Sequence, residues 1–69
     1  MSELDLIRRL RLGRKAAAAG KIYDALDWLG QCWHLFGTLG GGTLRHWRLI
    51  DKACWRLDAD VRSWIREHA

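Results

Sequence analysis

Apolar residues along this chain recur at spacings of three and four, and glycines collect at only two places between the runs. That period is the signature of amphipathic helices, whereas no segment keeps the strict two-residue alternation of a half-buried strand. Proline is absent, so Gly20 and the glycine-rich run from Gly37 to Gly42 supply the punctuation. The pattern predicts an all-α chain of three helices: an antiparallel helical hairpin followed by one long C-terminal helix.

The first helix is expected over residues 2–19. Ser2 with Asp5 three residues on is an acidic variant of the capping box, and Glu3 and Asp5 place negative charge in the first turn, where the helix dipole favours it. Leu6, Ile7, Leu10, Gly13, Ala17 and Ala18 share one face, with Arg8, Arg9, Arg11 and Lys15 opposite. Arg14 interrupts the apolar stripe, as a side chain snorkelling from the helix edge or as half of a buried ion pair. The small residues from Ala16 to Ala19 allow a neighbouring helix to come close.

The second helix is expected over 21–36, with Ile22, Ala25, Leu26, Leu29, Cys32, Trp33 and Phe36 on its apolar face and Tyr23, Asp27, Gln31 and His34 on its polar one. Trp28 and Leu35 lie beside the apolar stripe and read as a second contact surface. Residues 37–42 read as a flexible linker. Thr43 is the expected N-cap of the third helix, over 43–68, in which Ile50, Cys54, Leu57, Val61, Trp64 and His68 form a heptad-like seam. Asp58 offers a second cap, so this helix is expected either to run unbroken or to bend at Leu57 and Asp58.

Size changes what that pattern implies. A chain of 69 residues is a single domain, and below roughly 70 to 80 residues a fold usually needs disulfides, a metal, self-association or dense helix packing. The five tryptophans, Trp28, Trp33, Trp47, Trp55 and Trp64, carry about 200 Å² of surface each, more than one small core can cover. Some indole surface is therefore expected to meet a second copy or another protein, and a homodimer is expected. Cys32 and Cys54 form no spaced pair and read as buried small hydrophobes, with a single bridge between helices as the alternative. Arginines throughout residues 1–20, without an apolar run, predict no secretory signal, and no apolar stretch is long enough for a bilayer. A cytoplasmic protein is expected.

Charge then singles out a candidate surface. The formal net charge is +4, with a pI near 9.7. On the third helix Arg45, Arg48, Lys52, Arg56, Arg62 and Arg66 project within an arc of roughly 120°, and Trp55 falls inside it. Arginines that attract acidic groups around an indole that anchors apolar contact make a partner-binding surface. Trp55 is the candidate anchor and Arg48, Lys52 and Arg56 its charged ring. Tyr23 and Trp28 of the second helix complete the candidate set. The competing reading is a solvated face whose long arginine stems cover the ring.

A nucleic-acid partner is the second reading, because arginines on the first and third helices suit phosphates. Against it, residues 1–21 total +4, residues 22–43 total −2 and residues 44–69 total +2, so the basic charge reads as split rather than gathered in one groove. The second helix, placed as a recognition helix, would offer carboxylates to DNA. No metal site is expected: Cys32 and His34 point to different sides of one helix, and His46 and Cys54 do not complete a set. No cofactor and no catalytic constellation are expected either. The glycine run lacks the Lys and Ser or Thr that a phosphate loop requires.

Two resemblances add to this. The order Leu12, Gly13, Gly20, Ala25, Leu29 and Cys32 resembles one tetratricopeptide helix pair, which implies an antiparallel hairpin packed closely near Ala17 and Ala25, with the third helix as a solvating cap. That family binds peptides with stacked hairpins of three or more repeats, and this chain has at most one. The stretch Tyr23, Asp24, Ala25, Leu26, Asp27, Trp28 and Leu29 resembles a segment of small bacteriophage helical proteins that act as quorum-sensing anti-activators and inhibit a pilus-assembly ATPase. The glycine run and the tryptophan-rich third helix have no counterpart there, so no binding site is carried over. The resemblance implies a class of function: blocking a host protein by occupying its surface. Together these readings predict a small non-enzymatic protein-interaction module.

Overall fold

The computed structural model describes residues 2–39 and 44–69. Three helices follow in order, α1 (Glu3–Ala18), α2 (Ile22–Leu39) and α3 (Trp47–His68), and the described residues contain no strand. The cap of α1 is built as its sequence suggests. The Asp5 amide donates to Ser2 Oγ at 3.4 Å, and the Ser2 amide donates back to Asp5 Oδ2 at 3.1 Å. That backbone donor holds the Asp5 carboxyl below the ordinary carboxylate range, assisted by the Ser2 hydroxyl.

Gly20 closes α1. Its φ of +75° is the left-handed conformation that other residues avoid. This lets the Gly20 amide donate to the Ala17 carbonyl at 3.1 Å and the Lys21 amide to the Ala16 carbonyl at 2.9 Å. The paired bonds form a Schellman motif, which satisfies two orphan carbonyls and reverses the chain. The result is the expected antiparallel α1/α2 hairpin.

Helix α3 lies against both members of the hairpin, running alongside α1. At one end the His46 amide donates to Glu3 Oε1 at 2.7 Å. At the other, Trp64 Nε1 lies 3.8 Å from where a Cβ on Gly20 would be. The third helix is therefore an equal member of a slender three-helix bundle, 38 × 16 × 15 Å. It does not act as a cap on a repeat.

The core is narrow and made of thin residues. Leu6, Leu10 and Ala16 of α1, Ala25, Leu29, Cys32 and Leu35 of α2, and Ile50, Cys54, Leu57 and Val61 of α3 are buried, with Leu44 closing one end. Burying each such leucine or isoleucine is worth about 1.5–3 kcal/mol relative to leaving it exposed. None of the five tryptophans is fully buried. Trp28, Trp33 and Trp64 are partly covered at the rim, while Trp47 and Trp55 are 41% and 59% exposed.

Several boundaries and faces differ from those expected. Helix α2 continues past Phe36 through Gly37, Thr38 and Leu39, because Leu39 packs against the core and its tertiary contact outweighs the glycine. The expected linker loses its first three residues accordingly. Helix α3 starts at Trp47 instead of residue 43; its expected cap, Thr43, lies outside the described residues, as do Gly40, Gly41 and Gly42. It runs unbroken through Leu57 and Asp58, where Asp58 accepts from Arg62 one turn on instead of capping a new helix.

Face assignments shift for a geometric reason. On α1 the buried line from Leu6 through Leu10 and Gly13 leads to Ala16, and Ala18 is exposed. On α2, which is flanked by two helices, the buried sector centres on Ala25 and Cys32. Leu35 therefore goes inside and Leu26 comes out, the reverse of the expected order. Arg14 is exposed at the α1 edge and does not enter a buried ion pair.

Gly13 is where all three helices meet. A Cβ there would stand 2.7 Å from Leu57 Cδ2 and 3.2 Å from the Trp28 Cβ. Leu57 is fully enclosed, so it has little room to yield. Gly13→Ala is expected to lower stability by about 1 kcal/mol despite the gain in helix propensity, since overpacking costs roughly 1–3 kcal/mol. Gly30, with nothing within 4 Å of its Cβ direction, supplies the control. Gly30→Ala is expected to raise stability by about 0.5–1 kcal/mol. Denaturant titration of both variants checks the pair, and a stabilised Gly13→Ala would disprove the close approach.

Candidate interaction surface

With Ile50, Cys54, Leu57 and Val61 turned inward, helical geometry leaves α3 with two flanks and an outer ridge. Trp55 lies on the flank facing α2. It meets Trp33 edge to face, with ring centres 5.0 Å apart and planes at 69°, and Trp33 meets Phe36 in the same manner at 6.3 Å and 85°. Trp55 is thus the outermost ring of an aromatic row bridging α2 and α3. Such edge contacts suit the ring quadrupole and fix the orientation of the exposed indole.

The candidate set is divided by the fold. Arg48 stands on the outer ridge with its guanidinium 5.4 Å from the centre of the Trp47 ring, a cation–π arrangement. Lys52, three residues before Trp55, and Arg56, next to it, extend towards α1. There they line a groove of about 620 Å³ together with Arg14, Leu49, Ala53, Ala59 and Asp60. Among the described residues the ion pairs are His46 with Glu3 and Arg62 with Asp58. Arg14, Lys52 and Arg56 accordingly have no carboxylate within 4.0 Å among those residues.

Arg14 also borders a second depression on α1 with Arg11 and Lys15. Because α1 and α3 lie side by side, Arg14 shares a groove with Lys52 and Arg56, whereas Arg9 turns towards α2 and Arg62 and Arg66 border a separate depression. Asp24 and Asp27 stand exposed on α2, and Asp27 borders the same depression as Arg9. Arg14 and Leu49 are the residues of the α1/α3 groove that sequence reasoning missed. The signal for Arg14 was its misfit on the apolar stripe, whereas Leu49 carried no signal of its own.

Tyr23 and Trp28 do not share a surface. Tyr23 is 85% exposed at the turn end of α2, beside a depression shared with Gly20 and Trp64. Trp28 is half-buried, its Cβ set against Gly13. Near Tyr23, Trp64 and His68 stack with rings 3.8 Å apart and nearly parallel, and His68 Nδ1 donates to the Trp64 carbonyl at 2.8 Å. Further along α2, a shallower depression of about 390 Å³ is bordered by Leu26, Asp27, Gly30 and Arg9, whose Nε donates to Gln31 Oε1 at 3.1 Å.

The remaining chemistry-bearing residues are dispersed. Cys32 and Cys54 are unbridged and completely enclosed in the core, His34 is exposed on α2, and His46 sits beside Glu3. Among the described residues no cluster of three or more His, Cys, Asp or Glu is placed to hold a metal ion, and no helix is long and apolar enough to cross a membrane. Comparison with protein-family models, curated proteins and solved structures returns no match to this chain.

Burial pushes the Cys32 thiol up to about 11, and burial with the neighbouring Cys32 and Asp51 pushes Cys54 up to about 12. Both are therefore protonated at neutral pH and shielded from reagents. In native buffer at pH 8 neither cysteine is expected to react with an aromatic disulfide reagent faster than the chain opens. Both should react at once in denaturant; rapid labelling of the native protein would place a thiol outside the core.

Proposed function

We propose that this chain is a small non-enzymatic interaction module, a phage-type inhibitor or adaptor that occupies the surface of a larger host protein. The observation that carries the reading is the aromatic surface left outside the core, with Trp55 held on edge by Trp33 and Tyr23 standing free on α2. Exposed Tyr and Trp near arginines are the side chains that most often anchor protein interfaces. The resemblance of residues 23–29 to phage inhibitors supports the same class, since Tyr23, Asp24, Leu26 and Asp27 of that stretch all face outward. The reading includes action in the cytoplasm and pairing with a second copy, which would cover part of this apolar surface.

Affinity capture from host lysate with mass-spectrometric identification tests it, using the full chain beside Tyr23→Ala and Trp55→Ala. At least one substitution is expected to reduce capture of a specific protein roughly thirtyfold, corresponding to about 2 kcal/mol at an interface anchor. Circular dichroism should show helicity unchanged. Capture indifferent to both substitutions would remove the reading. Light scattering is expected to return twice the 8.0 kDa chain mass, and a single-chain mass would remove the homodimer.

A second reading, a small basic nucleic-acid-binding regulator, is favoured by one observation: the cations of α1 and α3 that share a groove, Arg14 with Lys52 and Arg56. Phosphate contacts would make its affinity for duplex DNA fall steeply with salt. Absence of binding to mixed-sequence DNA at low salt eliminates it.

A further inference from the structure

Building on the interaction-module reading, we propose that the α1/α3 groove seats an acidic amphipathic helix of the protein partner. Its lining mixes one leucine and two alanines with charged side chains. Leu49 is 67% exposed there, and Ala53 and Ala59 leave room for another backbone to approach. Its cations are Arg14 on α1 and Lys52 and Arg56 on α3; among the described residues none has a carboxylate within 4.0 Å, and Asp60 is the one acidic residue of the lining. Two adjacent helices with a groove between them offer the ridges into which a further helix packs, at about 8–10 Å between axes.

The exposed leucine and the cations beside it together select the occupant. A leucine stripe on the incoming helix would cover Leu49, while glutamates or aspartates flanking the stripe would meet Arg14, Lys52 and Arg56 in charge-assisted contacts. Asp60 at one end of the groove asks for a basic residue opposite it and so sets the direction of the helix. A nucleic-acid backbone matches less well: a uniform polyanion has no use for an exposed leucine and is repelled by Asp60. From Leu49 to Asp60 the groove spans about 16 Å at helical rise, enough for roughly three turns of partner helix.

The test titrates the full-length chain with a synthetic peptide of about 16 residues, long enough to cover those turns. It carries leucines at spacings of three and four, flanking glutamates and one lysine in its last turn. Isothermal titration measures affinity, and methyl resonances of Leu49, Ala53 and Ala59 report the site. Saturable binding is expected, with shifts confined to the groove. Lys52→Glu with Arg56→Glu should weaken it at least about tenfold, as should Leu49→Asp, while circular dichroism stays unchanged. Trp55→Ala, on the other flank, should leave it intact.

No saturable binding overturns the proposal, as does equal affinity for a scrambled peptide of the same composition. Tighter binding of mixed-sequence duplex DNA at the same residues makes the occupant a nucleic acid. Self-association abolished by the same charge reversals makes it a second copy. The two readings separate in the capture experiment: a partner lost with Tyr23→Ala or Trp55→Ala but retained by the groove variants keeps the interaction module and sinks the groove assignment.

Discussion

The close approach of three helices at Gly13 is the constraint on which this bundle depends. With no side chain there, Leu57 of α3 reaches the surface of α1 from one side while α2 brings the base of Trp28 against it from the other. A protein interior is packed densely enough that even one added methyl group is felt. The missing methyl at Gly13 therefore sets the distance between the helices, and that distance decides which residues fit between them.

A narrow separation explains why the core consists of leucine, isoleucine, valine, alanine and cysteine while every indole stays at the rim. Trp28, Trp33 and Trp64 cover the seams between helices, and Trp47 and Trp55 extend past them. The same tightness makes the two cysteines inert, since burial disfavours the thiolate, and at Cys32 it outweighs the opposing pull of Arg9. Packing and surface chemistry are thus one problem: the rings excluded from the core are the rings available to a partner.

Electrostatics follow from the order in which the helices are stacked. Because α3 runs along α1, Arg14 of α1 meets Lys52 and Arg56 of α3 at one groove, while Arg9 turns to Gln31 of α2. At that groove three cations outnumber Asp60, an excess of like charge that an acidic ligand would offset. The groove between α1 and α3 and the aromatic row between α2 and α3 lie on opposite flanks of one helix. The proposed module therefore has two separable faces, one charged and one aromatic.

Local physics was legible from residues alone. The cap at Ser2 and Asp5, the turn at Gly20, the number of helices and the inward seam through Ile50, Cys54, Leu57 and Val61 depend on period and on neighbours a few positions away and stand as expected, whereas Trp64 is only partly buried and His68, expected on the same seam, is exposed. What depends on distant neighbours was not legible. Leu26 and Leu35 exchanged places because two helices flank α2, Leu39 extended α2 by packing on the core, and Arg14 joined Lys52 and Arg56 across a groove that exists only once α1 and α3 lie side by side. Sequence determined which faces are apolar and which are charged. Tertiary structure alone decided which faces meet, because that choice rests on side-chain volume at points of contact such as Gly13, and no periodicity encodes it.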